Sequence, residues 1–166
     1  MKNYVSAATV ALVFMFSCSN GTQNQDPMNN TKIELLSPEG LHKNPAYSQV
    51  AVVEGNYRTI YIGGQDAVDK DGKLVGKGDI EAQAKQILHN LETAVQAGGG
   101  SFENIIKWNV YIVQGQSAEK ALKAFQGAMS KMKKPPLITG IFVSSLANPD
   151  FLLEMDAIAV VPMTHH

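Results

Sequence analysis

The sequence predicts an α+β domain in which two helices cover one face of a mixed sheet. Three observations carry this. Residues 79–98 and the stretch from Ser117 onward repeat their apolar residues at helical spacing. The remaining apolar runs are short and rich in branched or aromatic residues, as strands are. The helical stretches alternate with pairs of strands rather than single strands, which favours one helical layer on a mixed sheet over a doubly wound fold.

Taken in order, Lys32 to Leu36 alternates weakly and suits a first strand, and Ser37 to Ala46 carries Pro38, Gly40 and Pro45 and reads as a loop. Tyr47 to Val53 and Thr59 to Ile62 flank Glu54-Gly55-Asn56, which predicts a hairpin. The second strand runs into Gly63-Gly64-Gln65, where missing side chains fit either a bulge or the close approach of a ligand. Asp69-Lys70-Asp71-Gly72-Lys73 has its glycine two places too early for a calcium loop and lacks the closing glutamate, so it reads as a turn and no metal site is expected.

In the first helix Asp79 can cap, Glu81 suits the first turn, and Gly98-Gly99-Gly100 ends it. Ile80, Ala84, Ile87, Leu88, Leu91 and Val95 form its apolar stripe, with His89 beside it as a surface or packing residue. Ile105 to Val113 is apolar on both faces from Val110 onward, which places it centrally in the sheet. The second helix carries Ala121, Leu122, Phe125, Ala128, Met129 and Met132 until Lys133-Lys134-Pro135-Pro136 stops it. Two last strands, Leu137 to Val143 and Phe151 to Val161, flank Ala147-Asn148-Pro149-Asp150 and read as antiparallel neighbours. Two helices leave the second sheet face uncovered, which predicts burial against another subunit.

A chain of 166 residues with 45% hydrophobic content is long enough for one domain with a real core. The formal charge is -1 and Arg58 is the only arginine, so there is no basic stripe for a phosphate backbone and nucleic-acid binding is not expected. The single cysteine, Cys18, cannot form an internal disulfide.

The N-terminus reads as an address. Lys2 and the uncharged apolar run from Tyr4 to Ser17 have the form of a secretory signal, too short for a comfortable permanent span. Phe16-Ser17-Cys18-Ser19-Asn20 resembles a bacterial lipoprotein cleavage box, with Cys18 as the lipidated first residue, although Met15 and Phe16 match it poorly. The expected organisation is a signal peptide over 1–17, a polar tether over 18–31, a folded domain over 32–162 and a tail over 163–166. The expected location is the cell envelope, periplasmic or surface, anchored to a membrane by lipid; the alternative is a secreted chain with an unpaired thiol.

Chemistry is concentrated in the last strand. Glu154 and Asp156 lie two apart among Leu152, Leu153, Ile158 and Val160, so both project from one sheet face. Either they meet solvent from an apolar strand, or at least one lines a pocket, where partial burial makes it a candidate base.

Asn44-Pro45-Ala46-Tyr47-Ser48-Gln49, Gly63-Gly64-Gln65, Gly78-Asp79-Ile80-Glu81-Ala82-Gln83, Lys107-Trp108-Asn109-Val110-Tyr111 and Phe151 to Val160 together resemble the RidA/YjgF family in the right order. The resemblance implies a chorismate mutase-like fold and a homotrimer with small-molecule clefts between subunits. It further implies a cofactor-free enamine/imine deaminase, in which an arginine grips the substrate carboxylate and a glutamate handles the attacking water. By that match Glu154 is the catalytic glutamate, and Tyr47, Gly63, Gly64, Ile138, Thr139 and Gly140 are ligand-binding positions.

One departure weighs against the usual reaction. Pro136-Leu137-Ile138-Thr139 places Ile138 where the family's active branch has arginine, and isoleucine offers no planar fork for a carboxylate. Arg58 is expected at the far end of its strand from Gly63. Two functions remain open. One is a small-molecule-binding protein of the envelope with no efficient 2-imino acid deamination. The other is a deaminase-type hydrolase on a substrate without a carboxylate, with Glu154 as base and Tyr47 and Thr139 orienting. The family's older label, ribonuclease, finds neither a basic groove nor a histidine pair.

Overall fold

The computed structural model describes residues 31–163; the signal run, Cys18, nearly all of the tether, His165 and His166 lie outside the described residues. The chain runs β1 (Lys32–Leu36), β2 (Val50–Glu54), β3 (Tyr57–Gln65), α1 (Ile80–Ala97), a 3-10 turn (Phe102–Asn104), β4 (Ile105–Val113), α2 (Ala118–Met129), β5 (Leu137–Val143) and β6 (Leu153–Pro162). This is the expected α+β order, first strand included.

Two strand pairings differ from expectation. β2 pairs antiparallel with β1, from Lys32 opposite Glu54 to Leu36 opposite Val50, and the ladders do not join it to β3 across Gly55-Asn56. The main sheet has the order β3-β6-β4-β5, so β4 lies between the two strands expected to be neighbours. The reason is connectivity. α2 carries the chain across the sheet, which makes β5 parallel to β4. β6 then returns antiparallel on the other side of β4. The central position expected for β4 is observed.

α1 begins where Asp79 accepts hydrogen bonds from the N–H groups of Glu81 and Ala82, and it caps at Gly98. The glycines behind it also permit close packing, since a Cβ at Gly98 would lie 2.8 Å from Ile60 Cδ1 and one at Gly100 2.9 Å from Val161 Cγ2. α2 is capped by the Ser117 hydroxyl and ends at Met129, a turn earlier than the basic and proline run suggested. Met132 still packs on the core from beyond the helix.

The core lies between the helices and one sheet face. Trp108, Val110 and Ile112 of β4 and Leu153, Met155, Ala157 and Ala159 of β6 meet Ile87, Leu91 and Val95 of α1. Trp108 is fully buried, with ring centroids 5.6 Å from Phe102 and 6.2 Å from Phe125. Gln83 is a buried polar staple: its amide donates to the carbonyls of Gly76 (3.2 Å) and Asp150 (2.8 Å) and accepts from the N–H of Leu152 (2.8 Å). It thereby fixes the segment that leads into β6. Among the described residues no helix is long and apolar enough to cross a membrane.

Candidate active site on the open sheet face

Alternation divides every strand of the main sheet between the core and an open face. On the open face the ladders set out cross-strand rows. Ile158 lies opposite Lys107, which lies opposite Leu137; Asp156 opposite Asn109 opposite Thr139; Glu154 opposite Tyr111 opposite Ile141. β3 adds Tyr61 beside Ile158, with 79% of its surface exposed. Ile141 is also exposed, at 44%. The face is therefore apolar at its flanks and polar at its centre.

Asp156 is held in place by this register. Asn109 Nδ2 donates to its Oδ1 at 2.7 Å, and the Tyr111 hydroxyl donates to its Oδ2 at 3.2 Å. The hydrogen bond to Asp156, then its charge, push the Tyr111 phenol up. Asp156 is therefore occupied as an acceptor.

Glu154 sits differently. The β3–β6 register slips between Ile62 and Gln65, so Gly63 and Gly64 form a bulge. A Cβ at Gly64 would fall 1.9 Å from Glu154 Oε1, whereas one at Gly63 would meet nothing within 4 Å. Gly64 is thus a notch that receives the Glu154 carboxylate. The bulge reading of the glycine pair holds, and what approaches Gly64 is the side chain of Glu154.

Asp66 completes the site and was not singled out from sequence. β3 ends at Gln65, paired with Met155, and Asp66 follows it, near enough to Glu154 to feel its charge. Asp66 Oδ1 is buried without a hydrogen-bond partner, and the Asp66 backbone is tied to α1 by Asn90 Nδ2, which donates to its carbonyl at 2.9 Å. Burial, and then the charge of Glu154, push the Asp66 carboxyl up to about 6.

The expected β5 positions divide between the two faces. Ile138 lies opposite Trp108 and packs on the core, and Gly140 lies opposite Val110, so both belong to the helix side. Thr139, opposite Asn109, belongs to the open face. Of the expected ligand-binding positions on β5, Ile138 and Gly140 thus lie on the opposite sheet face from Thr139, since a shift of one residue reverses the face of a strand. Tyr47 is half-buried beside Ser48, which bridges to Leu137 and donates its hydroxyl to the Pro135 carbonyl at 2.8 Å. That puts Tyr47 at the entrance to β5. Arg58 pairs opposite Val161 and donates to the Gly99 carbonyl at 3.2 Å, seven residues along β6 from Glu154 or roughly 23 Å at strand spacing.

Asp69 Oδ1 accepts from the N–H groups of Asp71 and Lys73, both at 2.9 Å, so the calcium-like segment is a carboxylate-braced turn. Among the described residues no group of three or more His, Cys, Asp and Glu side chains is placed to hold a metal.

The comparisons with known proteins agree with the fold. The profile described as endoribonuclease L-PSP matches residues 40–161. A RutC family protein of Pyrococcus horikoshii is 35% identical over 114 residues, covering 68% of this chain and 85% of that protein. The chain belongs to the endoribonuclease L-PSP family, the RidA/YjgF family of the resemblance. Within the family, the crystal structure of the conserved Rid family protein YyfB from Yersinia pestis is 30% identical with a TM-score of 0.68. The match covers 78% of this chain and 98% of that one. The 2-iminobutanoate/2-iminopropanoate deaminase of Mus musculus is 39% identical over 88 residues, half of this chain and 62% of that protein.

Proposed function

We propose that this family member hydrolyses a small imine or enamine that carries no carboxylate, releasing ammonia, with Glu154 as the base that activates water. The observation that carries the reading is the seat of Glu154: a carboxylate packed over Gly64, beside Asp66, on a face that gathers Glu154, Asp156 and Asp66. Such a face suits a neutral or cationic C=N group and repels a carboxylate. Neither Ile138 nor Thr139 can grip an anion as a guanidinium does. The mouse relative's name, a 2-imino acid deaminase, supports the reaction class and not that substrate.

The uncovered apolar flank, with Tyr61 and Ile141, supports a homotrimer whose clefts lie between subunits, where Tyr47 and Thr139 orient the ligand. The run over 4–17 and Cys18 support a lipid-anchored envelope protein. No cofactor enters the scheme.

A second reading, binding without turnover, is favoured by the roughly 23 Å between Arg58 and Glu154 at strand spacing. The test is ammonia release from an enamine generated in situ, without and with a carboxylate. Hydrolysis of the first, lost in Glu154→Gln, supports the enzyme; saturable binding with no release supports the second reading.

A further inference from the structure

Asp66 is not needed to explain the fold. Its backbone already has Asn90, and a buried carboxylate oxygen without a partner is a cost that a structural residue avoids. The bulge at Gly63-Gly64 brings Asp66 near Glu154 across the β3–β6 pair, and the Gly64 notch keeps the Glu154 carboxylate on that side. The charge acting on Asp66 comes from Glu154 of β6, while α1 presents the neutral Asn90 amide. Asp156, further along β6, is engaged by Asn109 and Tyr111 of β4.

Resting on the hydrolase reading above, we propose that Asp66 is the acid partner of Glu154, protonating the substrate nitrogen while Glu154 takes a proton from the attacking water. In the first step the water oxygen bonds to the C=N carbon. One water proton passes to Glu154, and the Asp66 proton passes to nitrogen, giving a neutral carbinolamine. In the second step the Glu154 proton moves to the amino group, the C–N bond breaks and ammonia leaves. The carbinolamine hydroxyl proton returns to Asp66 as the carbonyl forms. Both carboxyl groups end as they began, and no co-reactant is consumed.

Burial and the Glu154 charge both favour the protonated form of Asp66. Holding its proton up to about pH 6 suits Asp66 to the acid role, with an alkaline limb in the rate near that pH.

The test is the pH profile of kcat/KM for a carboxylate-free imine, on the full folded domain as its native oligomer, for the parent, Asp66→Asn, Asp66→Glu and Glu154→Gln. Carbon-detected NMR titration of the Asp66 carboxyl in the parent and in Glu154→Gln accompanies it. The expected result is a loss of roughly 100-fold in Asp66→Asn with disappearance of the limb near pH 6, and partial recovery in Asp66→Glu. The titration midpoint of Asp66 should fall when Glu154 loses its charge. An active parent whose rate and pH limb survive Asp66→Asn overturns the acid role and leaves the hydrolase reading standing. A parent without turnover sinks both.

Discussion

Glu154 and Gly64 are fitted to one another: the carboxylate Oε1 occupies the place where a side chain at Gly64 would begin, 1.9 Å from an ideal Cβ. The contact is with the far end of a flexible side chain, so a larger residue there moves the carboxylate rather than the backbone. Gly64→Ala should therefore keep the fold and melting temperature close to the parent while lowering turnover or ligand affinity by roughly tenfold or more, as misplaced catalytic groups do. Gly63→Ala, where a Cβ meets nothing, should be nearly silent in the same assay. Equal losses in both variants would show that the notch is not what positions Glu154.

The Asp66 carboxyl makes stability depend on pH in a direction opposite to a salt-bridged acid. Its proton affinity is raised in the folded state, from 3.8 to about 6, so the folded protein binds more protons between these values than the unfolded chain does. Stability contributed at this site is highest below about pH 4 and declines as pH rises through 6. Asp66→Asn should flatten denaturation midpoints across pH 4–7 and raise stability at pH 7. Because Asp66 is partly exposed, the effect is screened and only its sign is predicted. A midpoint that rises with pH at this site contradicts the assignment.

Gln83 bonds three backbone groups, and of these only the Gly76 carbonyl has a second donor, the Asp79 N–H. Gln83→Leu leaves the Leu152 N–H and the Asp150 carbonyl unpaired, while the Gly76 carbonyl keeps the Asp79 N–H at 2.9 Å, and should cost about 2–4 kcal/mol in chemical denaturation. It should also loosen the entry to β6. A cost within experimental error would mean that water takes over the bonds of the Leu152 N–H and the Asp150 carbonyl.

Trp108 fills the space between the 3-10 turn and α2 through Phe102 and Phe125. Trp108→Ala should cost about 3–5 kcal/mol and threaten folding of the isolated chain. Trp108→Phe should retain most of that stability, since the buried Nε1 has no partner to lose.

Much of this was legible in the residues. The cap at Asp79, the helix start at Ser117, the helical stripes, and the two-residue spacing of Glu154 and Asp156 gave both helices and the shared face of the two carboxylates. Pairing was less legible, because an apolar run, a turn and another apolar run look alike whether or not a third strand intervenes. β4 intervenes between β5 and β6, and only the parallel crossover through α2 reveals it. The faces of Ile138 and Thr139 were hidden for a related reason: one residue decides the face, and only the β4–β5 register fixes it. Asp66 follows Gly63-Gly64-Gln65 as an ordinary strand-end acid, and its burial beside Glu154 depends on a bulge that spacing alone does not specify. Asn109 and Tyr111 became site residues only once the β4–β6 register was known.

The central claim is that the cleft works on a C=N bond without holding a carboxylate. The most direct test compares ammonia release by the parent from two enamines generated in situ, identical except that one bears a carboxylate, with Glu154→Gln as control. The expected result is clear turnover of the carboxylate-free compound, at least tenfold lower kcat/KM for its acidic counterpart, and loss of both in the variant. Efficient turnover of the acidic compound, or equal rates in parent and Glu154→Gln, would contradict it.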